Sequence, residues 1–323
     1  MRKALIVGIN NYPKAPLKGS INDAVELAKT LKTHGNGSPN FDVRLETDVP
    51  TRGKLRSLLQ QTFQGECDTA LFYFSGHGFL NSITGYLVTP DFTKHDEGVS
   101  MDEIIVLANQ SNIRNKIIIL DCCHSGAFGT PAITGQTLSL INEGVTILTA
   151  SRREEPSIER NGHGVFTTLL LDALNGGAAD LKGDITPGSI YAHIDLAMGV
   201  WGGQRPVFKS NVSSFVSLRN VGPAVPLQTL RELPQIFSSA QEEYQLDPSF
   251  EESNILENAH EVKAPYAIPS NVSIFKKLQQ LHRVGLVIPH NAPYMYYAAM
   301  QSQSCKLTPL GIHYWKLARE EKI

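Results

Sequence analysis

The chain has 323 residues, long enough for two domains, and its 41% hydrophobic and 19% charged residues are typical of a globular protein. The net charge of −2 argues against a basic surface for nucleic acid or anionic membranes. No run approaches the roughly 18–20 apolar residues of a membrane span, and the short apolar opening lacks a signal-peptide cleavage site. We therefore expect a cytoplasmic protein without a membrane partner.

Apolar runs alternate with amphipathic segments over the first 220 residues. The predicted strands cover residues 3–10, 41–48, 68–78, 85–91, 116–123 and 144–151, and the segment 205–211 closes the series. The predicted helices cover residues 21–35, 51–63, 101–110, 164–177 and 186–199. Buried strands that alternate with helices predict an α/β fold, in which helices flank a mostly parallel central sheet of about six strands.

The composition changes after residue 220, and we predict a domain over 1–220, a linker over 221–255 and a second module over 256–323. In this module we predict a helix and short strand over 270–289. Its other predicted elements are a strand over 294–300 and a strand followed by a helix over 305–323. This order favours a small α+β module resembling a winged helix. From residue 270 onward it carries seven Lys or Arg and two Glu. We expect it to dock an activating or inhibitory protein rather than nucleic acid.

A histidine and a cysteine, which together can perform nucleophilic chemistry, each end a predicted buried strand. His77 ends the strand 68–78 and Cys123 ends the strand 116–123. If these two strands are neighbours in the sheet, both side chains point into one cleft, because the carboxyl ends of parallel strands meet at one edge. An imidazole can activate a thiol as nucleophile and later protonate a leaving amine. The N–H groups of Gly78 and Cys123 are the natural donors to an oxyanion.

Other interpretations of the cysteines stay open at this point. A lone Cys123 would more often be a buried structural thiol. Cys122, Cys123, His124 and His77 have the residue types of a zinc site, but they lack the ligand spacing that points such side chains together.

The motifs together resemble the caspase/metacaspase superfamily. "YFSGHG" is followed by "LDCCHSG", with Cys123 46 residues after His77, a spacing similar to that of caspases. "ALIVGINNYP" and "LKGSINDA" resemble the start of metacaspases, and "GHGVFTTLLLDAL" resembles the later part of prokaryotic members. The resemblance therefore covers roughly residues 1–218. It implies a caspase-like three-layer fold with Cys123 as nucleophile and His77 as base, and it leaves Cys122 at a variable position.

The resemblance also implies an acidic S1 pocket. Its residues here would be Asp23, Asp121 and Ser75, which predicts cleavage after Arg and less strongly after Lys. Each has a simpler interpretation. Asp23 could interact with the dipole of its helix, Asp121 could be a hydrogen-bonding acid at a strand end, and Ser75 could be an ordinary strand residue.

Many metacaspases need calcium, and several acids here could supply oxygen ligands. They are Asp91, Asp96, Asp102 and Glu103. The segment 126–136 after Cys123 contains no acid. We therefore expect no metal and no other cofactor, and we regard calcium dependence as doubtful.

We thus predict a regulated cysteine endopeptidase that acts on protein substrates. The resemblance implies a role in prokaryotic cell death or antiviral defence. Arg152, Arg153 and Arg160 lie in a polar loop and are candidate self-cleavage positions, although a solvated loop would have the same composition. The alternative is a catalytically silent adaptor, or a nucleic-acid-associated regulator, that acts through the C-terminal module.

Overall fold

The structure is a computed structural model that divides into two compact units, residues 1–222 and 223–323. It describes residues 1–81, 84–94, 96–122, 141–150, 159–160, 162–201, 205–258 and 262–323. Cys123 and the segment that follows it lie outside these residues, as do Arg152 and Arg153.

The first unit contains the predicted alternation of strands and helices. Its strands are β1 (Arg2–Gly8), β2 (Asp42–Thr47), β3 (Thr69–Ser75), β4 (Gly78–Leu80), β5 (Gly85–Leu87), β6 (Val99–Ser100), β7 (Asn115–Asp121), β8 (Val145–Thr149), β9 (Glu159–Arg160), β10 (His163–Gly164), β11 (Asp184–Ile185), β12 (Val207–Asn211) and β13 (Arg219–Asn220). Its helices are α1 (Ser20–Lys32), α2 (Arg52–Phe63), α3 (Met101–Gln110), α4 (Val165–Asp172) and α5 (Pro187–Trp201). A π-helical turn over Ala173–Gly177 continues α4.

Six of these strands form the central sheet, in the order β12-β8-β7-β3-β1-β2. Five strands are parallel, and β12 pairs antiparallel with β8 at one edge. The predicted mostly parallel six-stranded sheet is therefore confirmed. Among the parallel strands the order reverses between β1 and β3, and in such sheets ligands bind outside the carboxyl ends at this switch point.

Hydrophobic cores cover both faces of the sheet. All seven residues of β3 are buried, as expected for a central strand covered on both sides. Its side chains alternate, so that Phe72 and Phe74 pack in the core with α2 and α3, whereas Leu71 and Tyr73 pack in the core with α1, α4 and α5. The fold is a three-layer α/β arrangement, as the sequence predicted.

The predicted strand 68–78 is split in two. The central strand β3 ends at Ser75, and Gly78 begins β4, which forms a separate antiparallel sheet with β5 and β6. The predicted strand 85–91 likewise belongs to this small sheet and ends at Leu87. His77 lies in the turn between the two sheets, which brings it to the carboxyl edge of the central sheet.

The second unit begins at Pro223 and includes the segment predicted as a linker over 221–255. Its elements are α6 (Leu227–Arg231), α7 (Leu233–Ile236), β14 (Glu243–Gln245), α8 (Pro269–Arg283), β15 (Val287–His290), α9 (Met295–Met300), β16 (Ser304–Leu307) and α10 (Pro309–Arg319). β14 pairs antiparallel with β16. The prediction of a linker was wrong because the apolar side chains of this segment, such as Leu233 and Phe237, are buried in the core of the unit.

The predicted strand 294–300 is the helix α9. Met295, Ala298 and Ala299 are buried at helical spacing, while Tyr296 and Tyr297 on the other side are exposed. A helix therefore connects β15 to β16, where a winged helix would have a hairpin. The winged-helix resemblance is not confirmed.

None of the helices described here combines the length and apolar character needed to cross a membrane.

Candidate active site

The centre of the candidate site is the row of residues at which three adjacent strands end. Gly8 of β1 lies opposite Ser75 of β3, and Ser75 lies opposite Asp121 of β7. Ser75 and Asp121 are both buried. The backbone N–H of Gly76 donates to the carbonyl of Asp121 at 3.4 Å, which links the chain just before His77 to the strand that leads to Cys123.

Asp23 approaches this row from the first turn of α1 and is only 1% exposed. Its Oδ2 accepts from the N–H of Gly164 at 3.0 Å and lies 3.5 Å from the hydroxyl of Ser75. Its Oδ1 lies 2.9 Å from Nδ1 of His163, which carries the proton because a carboxylate oxygen can only accept. Gly164 precedes α4, so the dipole of that helix also favours the negative charge.

Asp121 is 5% exposed and belongs to a directed chain of hydrogen bonds. The hydroxyl of Thr167 donates to Asp121 Oδ2 at 2.6 Å, and the hydroxyl of Tyr73 lies 2.5 Å from that of Thr167. Because the single proton of Thr167 goes to the carboxylate, Tyr73 must donate to Thr167. Burial, together with the charges of Asp121 and Asp23, raises the pKa of Tyr73 well above its usual range, so Tyr73 keeps its proton.

Gly164 lies between the two carboxylates. A Cβ atom at this position would lie 2.3 Å from Oδ2 of Asp121 and 3.1 Å from Oδ2 of Asp23. Only a residue without a side chain fits there while both acids keep their places. The predicted S1 residues Asp23, Asp121 and Ser75 are thus brought together around a glycine that the sequence analysis had not singled out.

His77 is fixed by the loop that follows β1. Its Nε2 lies 2.7 Å from the carbonyl oxygen of Ala15. Because a carbonyl oxygen can only accept, Nε2 carries the proton of the neutral imidazole, and Nδ1 is the nitrogen that can act as a base. The backbone carbonyl of Ala15 therefore selects the tautomer in which His77 can take a proton from a nucleophile.

Tyr12 holds His77 from a second direction. Its hydroxyl accepts the backbone N–H of His77 at 3.0 Å and donates to the carbonyl of Val88 at 3.2 Å, and its ring centroid lies 4.5 Å from that of His77. Burial raises the pKa of Tyr12 well above its usual range, so the hydroxyl stays protonated and can serve both bonds. Gly76 leaves room for this hydroxyl, because a Cβ there would lie 2.5 Å from it.

The remaining predicted residues are only partly described. Gly78 begins β4 opposite Leu87, whereas Cys123 lies outside the described residues. The backbone of Arg160 pairs with that of His163, beside the acidic group, but Arg152 and Arg153 lie outside the described residues. Cys122 is buried in the core next to α2 and α3.

Three of the four acids considered as calcium ligands are bonded to groups of the protein. Asp96 pairs with Arg52 at 2.5 Å, and Glu103 pairs with Arg56. Asp91 accepts from the backbone N–H of Arg52 at 3.1 Å and from a threonine hydroxyl at 2.6 Å. Within the described residues, no group of three or more His, Cys, Asp or Glu is placed to hold a metal ion.

Several residues of this site could not be identified from the sequence. Gly164 and Thr167 lie in the segment "GHGVFTTLLLDAL", which was used only to support the family resemblance. The one feature of this segment that could have pointed to a site is the His-Gly pair directly before α4. His163, which contacts Asp23, lies in the same segment directly before Gly164. The carbonyl of Ala15 gives no signal, because any residue type would supply it.

Comparison with known proteins gives the family of the first unit. No curated protein matches the chain. The crystal structure of protein GSU0716 from Geobacter sulfurreducens is similar over 68% of this chain and 98% of its own, with 17% sequence identity and a TM-score of 0.47. Residues 1–216 match the caspase domain of the C14 peptidases. This match covers most of the chain and includes every residue of the candidate site. The chain therefore belongs to the caspase-domain family of cysteine peptidases.

Proposed function

We propose that this protein is a cysteine endopeptidase that cleaves protein substrates after Arg, and less strongly after Lys, with Cys123 as nucleophile and His77 as base. The observation that carries the proposal is the pair of buried carboxylates, Asp23 and Asp121, at the strand ends beside a tautomer-selected histidine. Two neighbouring carboxylates that are almost fully shielded from solvent favour a cationic side chain.

The acylation step follows from the tautomer of His77. Nδ1 takes the proton of the Cys123 thiol as the sulfur attacks the scissile carbonyl, and the new C–S bond converts the carbonyl to a tetrahedral oxyanion. The N–H groups of Gly78 and Cys123 would stabilise this oxyanion. When the C–N bond breaks, the imidazolium returns its proton to the leaving amine, and a thioester remains.

Deacylation uses the same imidazole. His77 Nδ1 takes a proton from water, the hydroxide oxygen attacks the thioester carbonyl, and the carboxylic acid product leaves as the thiol is reprotonated. The hydrogen bond of Nε2 to the Ala15 carbonyl persists throughout and stabilises the charged ring in both steps.

The preference for Arg over Lys rests on the bonding of the two acids. Oδ2 of Asp23 and Oδ2 of Asp121 already accept donors from the protein, which fixes both carboxylates. A guanidinium presents several N–H groups in one plane and can reach oxygens of two fixed acids at once, whereas an ammonium is a single point of charge.

The test uses the full chain and internally quenched peptides that differ only in P1: Arg, Lys or Asp. We expect cleavage of the Arg peptide, slower cleavage of the Lys peptide and none of the Asp peptide. Cys123→Ala should abolish cleavage. Cys122→Ala removes the neighbouring thiol and should retain activity within a few-fold, so it is the matched control.

An Arg chloromethyl ketone gives a second readout that does not need turnover. We expect mass spectrometry to find the label on Cys123, and Asp23→Asn to slow the labelling. Labelling of Cys122 instead, or no Cys123-dependent reaction in either assay, would contradict the peptidase assignment. Faster cleavage after Asp than after Arg would contradict the acidic pocket while leaving the peptidase in place.

A further inference from the structure

We infer that the cavity beside His77 is a binding site for a bulky apolar side chain on the leaving-group side of the cleaved bond, the P1′ residue. The inference rests on the proposed function. The cavity has a volume of about 300 Å³ and is bounded by the loop after β1, the start of β4 and the loop after β5. Its lining includes His77 and Tyr12 as well as Phe79, Val88 and Phe92.

The walls of this cavity are apolar and partly exposed. Tyr12 and Val88 are buried, whereas Phe79 is 36% and Phe92 is 42% exposed. The two phenylalanine rings meet edge to face, with centroids 5.8 Å apart. Exposed aromatic side chains around an apolar cavity are a common feature of binding sites, and a cavity at the small end of the range for ligands suits a single side chain.

The proposed chemistry decides which substrate residue reaches the cavity. His77 must protonate the leaving nitrogen, so this nitrogen lies within hydrogen-bond distance of the ring. The Cβ atom of P1′ is two bonds from that nitrogen and therefore lies within a few ångströms of His77. The acids that would bind P1 belong to the other face of the sheet from the core that contains Tyr12 and Val88, because Asp23 lies on α1 and Asp121 is bonded to α4.

The charge of the lining defines which side chains should be excluded. Among the described lining residues, Lys14 is the one with a permanent positive charge. A basic P1′ residue would meet this charge and would also lose hydration against the aromatic walls. The cavity should therefore favour Phe or Leu over Gly, and should disfavour Arg and Lys, at the position directly after the cleaved bond.

The first experiment measures kcat/KM for quenched peptides with Arg at P1 and Phe, Leu, Gly or Lys at P1′. We expect Phe and Leu to exceed Gly by roughly 10-fold or more. Phe79→Ala, and separately Phe92→Ala, should lower the ratio of Phe to Gly towards one. Phe215→Ala is the matched control, because Phe215 is 44% exposed and packs against Phe208, away from the cavity.

Equal rates for Phe and Gly at P1′ would overturn the inference, as would a ratio that Phe79→Ala and Phe92→Ala leave unchanged. A further peptide carries Phe at P2 and Gly at P1′. If the preference for an apolar side chain occurs with that peptide instead, the cavity binds P2, and its assignment to P1′ is wrong.

A binding measurement separates this inference from the proposed function. Labelled, uncleaved peptides are titrated into the full-length Cys123→Ala protein and followed by fluorescence anisotropy. We expect the Arg-Phe peptide to bind roughly 10-fold more tightly than the Arg-Gly peptide, and Phe79→Ala to remove the difference. Equal or undetectable binding would overturn the site. A preference in binding without any cleavage by the wild-type chain would reject the peptidase and keep the site.

Discussion

The substitution Gly164→Ala tests how strictly the two acids are positioned. Gly164 has φ −66° and ψ 133°, which any residue adopts, so an alanine adds no backbone strain. The added methyl group would, however, lie 2.3 Å from Oδ2 of Asp121. To restore an ordinary van der Waals separation, the carboxylate or the helix must move by roughly 1 Å.

The size of the effect follows from that movement. Oδ2 of Asp121 is the atom that Thr167 binds at 2.6 Å, so a shift of roughly 1 Å breaks a hydrogen bond to a charged group, worth about 1.5–3 kcal/mol. We therefore expect the free energy of unfolding to fall by about 1–3 kcal/mol. Misplacement of the acids by this distance should lower kcat/KM for an Arg peptide by about 100-fold.

The assay measures both quantities on the same preparations. Urea unfolding followed by far-UV circular dichroism gives the stability, and quenched Arg peptides give kcat/KM at a temperature where the variant is fully folded. Gly53→Ala is the control, because a Cβ at Gly53 would meet nothing within 4 Å and the helix α2 tolerates alanine. A Gly164→Ala protein with kcat/KM within twofold of the wild type would refute the reasoning.

Three further predictions concern single contacts. Tyr12→Phe leaves the backbone N–H of His77 without its acceptor. We therefore expect kcat to fall by about 10-fold or more and the free energy of unfolding to fall by about 1–3 kcal/mol. An unchanged kcat would show that the hydroxyl does not position His77. Burial raises the pKa of Cys305 to about 12, so this thiol stays protonated. We expect iodoacetamide at pH 8 to label it only after urea unfolding. Labelling of the folded chain at the rate of an exposed thiol would contradict its burial. Trp315→Phe removes the 2.7 Å hydrogen bond from the indole to the carbonyl of Phe237. Circular dichroism should show that the second unit is destabilised by about 1–3 kcal/mol, while kcat/KM is unchanged. Equal stability would mean that the carbonyl finds another donor.

The sequence predicted those parts of the molecule that depend on local patterns. Fully apolar runs such as that of β3 indicated buried parallel strands. The family resemblance, rather than the strand pattern, singled out Asp23, Ser75 and Asp121, which lie close together in the structure. Residues such as Thr167 could not be found in this way. They reach the site from helices more than 40 residues away along the chain, and only the packing of those helices on the sheet determines the contact.

The errors in the second unit have a similar origin. The segment 294–300 is a short apolar run, and such runs do not distinguish a strand from a buried helix. The proline-rich and acidic composition of 221–255 favoured a linker, although Leu230, Phe237 and Phe250 in this segment are buried in the core of the unit. Composition averaged over the 35 residues of this segment conceals the few apolar side chains that pack in the core.

The carbonyl that holds His77 has a consequence for how this protein tolerates mutation. Side-chain replacement at Ala15 leaves the main-chain oxygen in place, so the hydrogen bond to His77 does not depend on the residue type at this position. An insertion or deletion between Asn11 and Ala15 would instead move the oxygen away from the imidazole and silence the site. The length of this loop, rather than the identity of residue 15, therefore determines whether the imidazole keeps its partner.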